Sequence, residues 1–282
     1  MTCADSACPD MIITNAGQHD VNVNGLDETK LNNWVSFEGD DASLRLDYYA
    51  QSDADFRSMS ERIANLPARF LGRLVLKYDA VIRGNVVFPG AEITVTKSLT
   101  LAEGAVLNAP IIHSKGAEIT VSGTFISRNP KYDHNRALML NGLGSKLTIT
   151  ETGIIGGDDC TIEFSNDIPD PGACLDGIQF EKLRYCHDPI REAAGFLTYR
   201  LDPDLTLPAA LNTIESEAFA DGSFNSVYIP AGVTSIAPDA FGGKIGLKVY
   251  GEYGSQAETF AAGKGFPFAQ LNWSNYPMYN SQ

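Results

Sequence analysis

The apolar residues of this chain fall into many short runs in which apolar and polar positions alternate. Alternation with a period of two is the pattern of a β-strand that has one buried face. Such runs are concentrated in the middle of the chain, where Gly and Asn residues separate them: Val86–Phe88, Leu99–Leu101, Thr124–Ile126, Leu138–Leu140 and Thr161–Phe164. The pattern predicts a mainly β protein built from short strands.

A six-residue motif recurs within this middle part. Gly90-Ala-Glu-Ile-Thr-Val95 returns 26 residues later as Gly116-Ala-Glu-Ile-Thr-Val121, and Gly144-Ser-Lys-Leu-Thr-Ile149 follows after a further 28 residues. Short strands at near-constant spacing are typical of a β-solenoid that resembles a parallel β-helix. A β-sandwich produces the same local alternation. Because the motif repeats, we favour a β-solenoid.

The C-terminal third has a second repeat, with an offset of 22 residues. Seven pairs of similar residues share this offset: Leu205/Val227, Leu207/Ile229, Pro208/Pro230, Leu211/Val233, Ile214/Ile236, Ala218/Ala240 and Phe219/Phe241. A third, truncated copy begins at Val249. Each full copy is predicted to supply one short strand, Leu205–Leu207 or Val227–Ile229, whose alternate side chains point inward. One copy cannot close a core, so neighbouring copies must stack.

Two segments have helical features, one before and one after the repeats. Residues 52–66 place their large apolar side chains on one face. In residues 254–263, Ser255 and Glu258 have the spacing of a capping box, and Gly263 suits the left-handed residue that follows a helix. We expect these helices to cap the two ends of the repeats.

The amino-acid sequence of the 22-residue repeat resembles that of a known family. A strand and a proline are followed by Val233-Thr-Ser-Ile236 and Ala237-Pro-Asp-Ala-Phe241, and the array closes with Val249-Tyr-Gly and Gly265-Phe-Pro-Phe268. Residues 201–268 therefore resemble the BspA-like leucine-rich repeat of bacterial cell-surface proteins. The array departs from the family by its two full copies and by lacking the cysteine that usually follows the Ala-Phe pair.

The resemblance implies an exported, non-enzymatic surface protein that mediates adhesion by binding a host or bacterial surface protein or a glycan. It implies an extracellular or cell-surface location and no cofactor. The N-terminus has neither the basic nor the apolar region of a signal peptide. The protein is therefore expected to be cytosolic, or to have had its export signal removed before this sequence begins, and the resemblance favours the second reading.

These patterns divide the chain into four parts. Residues 1–67 hold N-terminal strands and the first capping helix, residues 68–165 the β-solenoid, residues 166–200 a connector, and residues 201–282 the leucine-rich repeats with their C-terminal cap. The connector is rich in Asp and Pro at first and then weakly helical. The predicted fold is thus a β-solenoid followed by a short leucine-rich-repeat solenoid, with capping helices.

Charge excludes one class of partner. The chain has 21 Lys and Arg against 35 Asp and Glu, a formal net charge of −14. Nucleic-acid binding depends on clustered Lys and Arg, so we expect no nucleic-acid partner. No run of about 18 apolar residues is present, so we also expect no membrane-spanning segment.

Two acidic groups are candidates for chemistry. Asp158 and Asp159 follow two glycines, and a polysaccharide lyase or hydrolase on the β-solenoid would use paired carboxylates. A solvated Gly-Asp turn is the favoured interpretation of that pair. Asp167, Asp170 and Asp176 offer oxygen ligands for calcium but lack EF-hand spacing, which favours a plain acidic loop without metal.

The remaining candidates are aromatic, basic or sulfur-bearing. Trp273, Tyr276 and Tyr279 follow the last repeat; they are candidates for binding a sugar or a protein partner, although packing back on that repeat is favoured. His113 and His134 have no Ser or Cys in a nucleophile motif, and we interpret them as surface histidines. Five cysteines leave at least one unpaired within the chain.

Overall fold

In the computed structural model of the protein, the described residues are 43–128, 138–157 and 161–271, together with residue 31 and the short strands at 11–13, 20–22 and 35–37. The first strands in chain order are β1 (Met11–Ile13), β2 (Asp20–Asn22), β3 (Val35–Phe37), β4 (Leu44–Ala50), β5 (Phe70–Leu76), β6 (Asp79–Ile82), β7 (Asn85–Val87), β8 (Glu92–Val95), β9 (Ser98–Leu101), β10 (Val106–Ala109), β11 (Ile112–Lys115), β12 (Glu118–Val121), β13 (Thr124–Ser127), β14 (Leu138–Asn141), β15 (Lys146–Ile149), β16 (Ile154–Gly157) and β17 (Thr161–Ser165). They are followed by β18 (Leu175–Asp176), β19 (Leu183–Cys186), β20 (Phe196–Leu201), β21 (Leu205–Thr206), β22 (Thr213–Ile214), β23 (Ser226–Tyr228), β24 (Ser235–Ile236), β25 (Lys248–Gly251) and β26 (Phe268–Gln270). The α-helices are α1 (Asp53–Ala64), α2 (Pro189–Ala193) and α3 (Gln256–Lys264).

Strands β5 to β16 visit three sheets in a fixed order. Each group of three strands, which we call a circuit, contributes one strand to a nine-stranded sheet, the next to a five-stranded sheet and the third to a four-stranded sheet. All of the pairs between neighbouring circuits are parallel. The mainly β class with parallel sheets is confirmed, and the parallel register differs from the antiparallel pairing of a β-sandwich.

Aliphatic ladders line the space between the three sheets. In the nine-stranded sheet the register stacks five buried side chains: Leu74, Ile93, Ile112, Leu138 and Ile162. Equivalent ladders from the other two sheets belong to the same hydrophobic core. Burying one such side chain contributes about 1.5–3 kcal/mol, so these ladders are the main stabilising feature of the circuits.

The register corrects the period inferred from the six-residue motif. The two copies 26 residues apart lie on β8 and β12, which belong to different sheets. The true step in this part is shorter, as the pair Ile93↔Ile112 shows, whereas the 28-residue step does join stacked neighbours, Glu118↔Lys146. All three strands of a circuit alternate apolar and polar residues. Two segments with similar sequences therefore need not lie in the same sheet.

Helix α1 is confirmed at its predicted place. It begins after Ser52, whose Oγ accepts a hydrogen bond from the Asp55 backbone N–H at 3.2 Å. It joins the neighbouring parallel strands β4 and β5 and buries Phe56 and Ile63 in the core of the circuits. Gly72 permits this close packing, because a Cβ there would lie 2.4 Å from the Ile63 side chain.

The connector differs from its weakly helical prediction. Only the five residues of α2 are α-helical in this part, and they lie between β19 and β20, which pair with each other in antiparallel register. Strand β20 also pairs antiparallel with β17, as in Glu163↔Thr198, and so extends the nine-stranded sheet. A hairpin that covers the free edge of β17 prevents further strand addition there.

The C-terminal repeat has the predicted register. Leu205, Val227 and Val249 are consecutive partners in the parallel sheet β21–β23–β25–β26, at steps of 22 residues. A second small sheet pairs Ile214 with Ile236. The inward side chains form a separate core, in which the Phe219 and Phe241 rings stack with centroids 5.4 Å apart.

Helix α3 covers this core, but its ends differ from the prediction. Gly265, with φ 67°, is the left-handed residue, and Gly263 is helical. Ser255 precedes the helix without a side-chain capping bond. Glu258 instead accepts a hydrogen bond from the Gly254 backbone N–H at 2.6 Å. The predicted capping box is therefore wrong by one residue: the Glu258 carboxylate binds the N–H group of the residue before the N-cap, and not that of the N-cap residue Ser255.

The outward face of the repeat sheet packs on the circuits. Tyr228 and Tyr250 follow inward-pointing residues on β23 and β25, and therefore point to the opposite face. They form a buried cluster with Ile126 and Ile154 of the four-stranded sheet and with Leu271. The repeats and the circuits are thus joined by an apolar contact.

Candidate ligand-binding site

The repeat sheet presents two columns of side chains toward the circuits, each column spaced by the 22-residue repeat. The first column consists of Thr206, which is exposed, and of Tyr228 and Tyr250, which pack against the four-stranded sheet. The second column lies at the start of the strands and is polar: Asp204, Ser226 and Lys248. The second column lines a cleft at the junction between the repeats and the circuits.

The cleft has a volume of about 390 Å³. One wall comes from the fourth circuit, including Ile154 and Ile155, and another from the connector, including Gln179 and Lys182. Ile178 and Leu201, both partly exposed, contribute apolar surface to the lining. Ligand pockets for small molecules have this size and this mixture of apolar walls with a few polar groups.

Asp204 is fixed by the repeat itself. Its carboxylate accepts hydrogen bonds from Lys182 Nζ at 2.8 Å and from the backbone N–H groups of Asn225 and Ser226 at 2.8 and 3.2 Å. Burial raises the pKa of this carboxyl, but these hydrogen bonds outweigh burial and hold the pKa below its ordinary value. Asp204 is therefore ionised, and its charge is already compensated.

Asp202 is the second carboxylate of the cleft, and its negative charge is paired with two arginine side chains. The guanidinium of Arg200 binds it through Nε, and Arg184 Nε lies 3.1 Å from its Oδ2. Two ion pairs to a single aspartate leave the local charge positive. This part of the cleft thus differs from the acidic character of the whole chain.

Lys248 is the third charged group. Its Nζ donates a hydrogen bond to the carbonyl oxygen of Thr150 at 3.2 Å, which joins the repeats to the fourth circuit. Burial lowers the pKa of the Lys248 ammonium, and the charges of Asp204 and Glu151 offset part of that effect. An ammonium has three N–H donors, so within the described part of the chain two remain for another acceptor.

Sequence reasoning singled out other residues, most of which lie outside the described part. Asp158 and Asp159 do so, as do Trp273, Tyr276 and Tyr279, and their roles stay predictions. The 22-residue spacing of the polar column was visible in the sequence. Its docking against the circuits was not, because no local pattern tells which outward face meets another part of the chain.

The candidate calcium ligands are described. Asp167, Asp170 and Asp176 are all exposed, and Asp170 Oδ1 accepts a hydrogen bond from the Ala173 backbone N–H at 3.3 Å, as in an ordinary turn. Over the described ranges, no group of three or more His, Cys, Asp or Glu side chains is placed to hold a metal ion. Cys174 and Cys186 are free thiols.

A second set of titratable side chains lies on the outer face of the nine-stranded sheet. His113 is buried there, which corrects its interpretation as a surface histidine. Its Nδ1 lies 3.1 Å from Glu92 Oε1, and its Nε2 lies 3.4 Å from the Asn141 amide. Thr94 donates a hydrogen bond to Glu92, and Arg45 lies 3.8 Å from it. The sequence signal for this set is the polar pair Glu92 and Thr94, which alternates with the apolar residues of β8.

Glu92 is held in its ionised form by these neighbours. Burial raises the pKa of its carboxyl, but the hydrogen bond and charge of His113, the Thr94 hydroxyl and Arg45 outweigh burial and lower the pKa to about 2. Further along the same face, Asp47 pairs with Arg73 and Glu163 pairs with Arg191. Since each carboxylate has a cationic partner, this row stabilises the sheet face.

Comparisons with known proteins identify no relative of this chain: no family model, no curated protein and no solved structure matches it. No helix in the described ranges is long and apolar enough to cross a membrane.

Proposed function

We propose that the chain is a non-enzymatic bacterial surface protein that mediates adhesion by binding a glycan in the junction cleft. Its architecture is a β-solenoid of circuits followed by a BspA-like leucine-rich-repeat solenoid, as the sequence resemblance suggests. The observation that carries the proposal is the cleft itself, in which a polar column at the repeat spacing faces apolar walls that include Ile178 and Leu201. Such a surface suits a sugar, which offers hydroxyl groups at its rim and apolar C–H groups on its ring faces.

Two observations support the solenoid part of this proposal. Parallel strands visit three sheets in a fixed order, and the inward ladders of all three sheets belong to one core. The 22-residue repeat has its own core and its own parallel sheet. Each part stacks neighbouring copies of a short unit, which is the way a solenoid buries its apolar residues.

The position of the repeat sheet favours a glycan over a protein partner. A leucine-rich repeat with a free sheet face would offer a large surface to a protein. Here Tyr228 and Tyr250 of that face are buried, 9% and 4% exposed, against the circuits. The remaining opening has the volume of a small-ligand pocket.

The test is a glycan screen by saturation-transfer NMR on the full chain, with two matched tryptophan variants. Asn225 lines the cleft and is exposed, so Asn225→Trp fills the opening with an indole ring. Asn212, also exposed, lies outside the cleft lining, so Asn212→Trp is the control. We expect the wild type and N212W to bind the same glycans, and N225W to lose at least tenfold in affinity.

Equal binding by N225W and the wild type would reject the cleft as the site. Binding only to proteins in a pull-down would favour the other partner class. The enzymatic alternative is tested in the same samples, because a lyase or hydrolase would release unsaturated products or new reducing ends from bound polysaccharides.

A further inference from the structure

The charges around the cleft specify its ligand more closely. The chain as a whole is strongly acidic, with a formal net charge of −14. Both carboxylates that line the cleft are nevertheless compensated, Asp204 by Lys182, and Asp202 by Arg184 and Arg200. An added anion at this place would therefore meet little repulsion from them.

Lys248 supplies a further charge. Its Nζ lies at the junction, half-buried, and its hydrogen bond goes to the carbonyl oxygen of Thr150, a neutral group, while Asp204 and Glu151 lie near enough for their charges to act on it. Among the described residues no carboxylate is hydrogen-bonded to this ammonium, so an anion that binds there recovers part of the cost of removing the ammonium from water. The two N–H donors that Thr150 leaves free can be shared by the oxygens of one anionic group.

The other residues that line the cleft indicate which further groups the ligand must contain. Asn225 and Gln179 have side-chain amides that donate and accept hydrogen bonds, which matches the hydroxyl groups of a sugar. Ile178 and Leu201 are partly exposed in the cleft and supply apolar surface on which a sugar ring can pack. A bare inorganic anion would leave this apolar surface unused.

We infer that the junction cleft binds an acidic sugar, with the anionic group on Lys248 Nζ and the sugar ring against Ile178 and Leu201. This inference rests on the proposed glycan-binding function and names the chemical class of its ligand. A uronide carboxylate and a sugar sulfate share the required chemistry, since each presents several oxygens with one negative charge. Lysine acts here as a point charge and accepts both.

Isothermal titration calorimetry on the full chain tests the inference with three probes: digalacturonic acid, its carboxyl-reduced neutral counterpart and a sulfated galactobiose. We expect wild-type protein to bind the better acidic probe roughly tenfold to hundredfold more tightly than the neutral one, which is the effect of one hydrogen-bonded charge pair. The rank of the two acidic probes identifies the anionic group as a carboxylate or a sulfate.

Lysine variants assign the effect to one residue. We expect Lys248→Met to lose the preference for acidic probes, and Lys248→Arg to keep most of it because the charge is retained. Lys146 is exposed on the five-stranded sheet and outside the cleft, so Lys146→Met should behave as the wild type. Circular dichroism of each variant verifies that it is folded.

Several outcomes would overturn the inference. Equal affinity of wild-type protein for the neutral and acidic probes would reject the acidic ligand, and because this comparison needs no variant it stands even if K248M fails to fold. A preference that persists in K248M would reject Lys248 as its source. In both cases a loss of binding in N225W would leave the glycan site standing, whereas unchanged binding in N225W would reject the site itself.

Discussion

Glu92 and Glu118 occupy the same position in the two copies of the six-residue motif, yet their surroundings differ. Glu92 lies in the nine-stranded sheet and is buried, while Glu118 lies in the five-stranded sheet and faces solvent. Arg45 supplies positive charge beside Glu92, and His113 Nδ1 lies within hydrogen-bond distance of the Glu92 carboxylate. A sequence repeat therefore predicts the alternation of side chains but not the charge that each copy needs.

Glu92→Gln is predicted to destabilise the protein in a pH-dependent way. The folded-state pKa of Glu92, about 2, lies below its ordinary value of 4.5, so its stabilisation is complete above pH 4.5 and is lost as the pH falls toward 2. We expect E92Q to lower the unfolding free energy at pH 7 by roughly 2–3 kcal/mol, and to make little difference near pH 2. Urea denaturation at a series of pH values measures both.

Glu118→Gln is the matched control, since it changes an exposed glutamate at the equivalent motif position. We expect its effect on the unfolding free energy to stay within about 0.5 kcal/mol at every pH. Equal effects of E92Q and E118Q at pH 7 would contradict the role given to the buried ion pairs.

Secondary-structure elements were predicted well where a local pattern defines them. Helix α1 follows from its apolar periodicity, and the strand register of the C-terminal part follows from the 22-residue repeat. The strands of the connector were not predicted, because β19 and β20 form by pairing with each other and with the edge of β17. The 26-residue spacing of the six-residue motif gave the wrong period for a related reason. The sheet that a strand joins depends on the path of the whole circuit and not on the strand's own sequence.

The contact between β26 and β16 depends on a glycine. A Cβ on Gly156 would lie 2.5 Å from Ala269 Cβ and 2.5 Å from the Gln270 carbonyl oxygen. Gly156→Ala is therefore expected to lower the unfolding free energy by about 1–3 kcal/mol, because the added methyl group separates the two strands. Chemical denaturation monitored by far-ultraviolet circular dichroism measures the change.

Gly243→Ala provides the comparison for that variant. Nothing lies within 4 Å of a Cβ at Gly243, so we expect a change of at most about 0.5 kcal/mol. Wild-type stability in G156A would show that the two strands do not approach as closely as described.

At the scale of the whole molecule, the two repeat systems have separate cores but a shared contact. Tyr228 and Tyr250 belong to the repeat sheet and are buried against Ile126 and Ile154 of the circuits. The sequence predicted both systems and a connector between them. It did not predict their docking or the cleft, because an outward tyrosine looks the same in a sequence whether it meets solvent, a partner or the same chain.

The contact between the repeats and the circuits also places the positive charges on which the proposed binding of an acidic sugar depends. Most of the acidic excess of the chain is compatible with any exposed surface, since strand alternation places polar residues outward. At the junction, however, Lys182, Arg184 and Arg200 compensate the two aspartates and Lys248 adds a further cation. A whole-chain charge of −14 is thus compatible with a site that attracts acidic sugars.

The most direct test of the account is to map the bound glycan on the protein. We expect titration of the ¹⁵N-labelled full chain with digalacturonic acid to shift the backbone amide resonances of Gln179, Ser226 and Lys248, which line the cleft. Amides of the outer five-stranded sheet, such as that of Lys146, should stay in place. Saturable shifts confined to the cleft are the predicted result, whereas saturable shifts only at another surface would contradict the assignment of function to this junction.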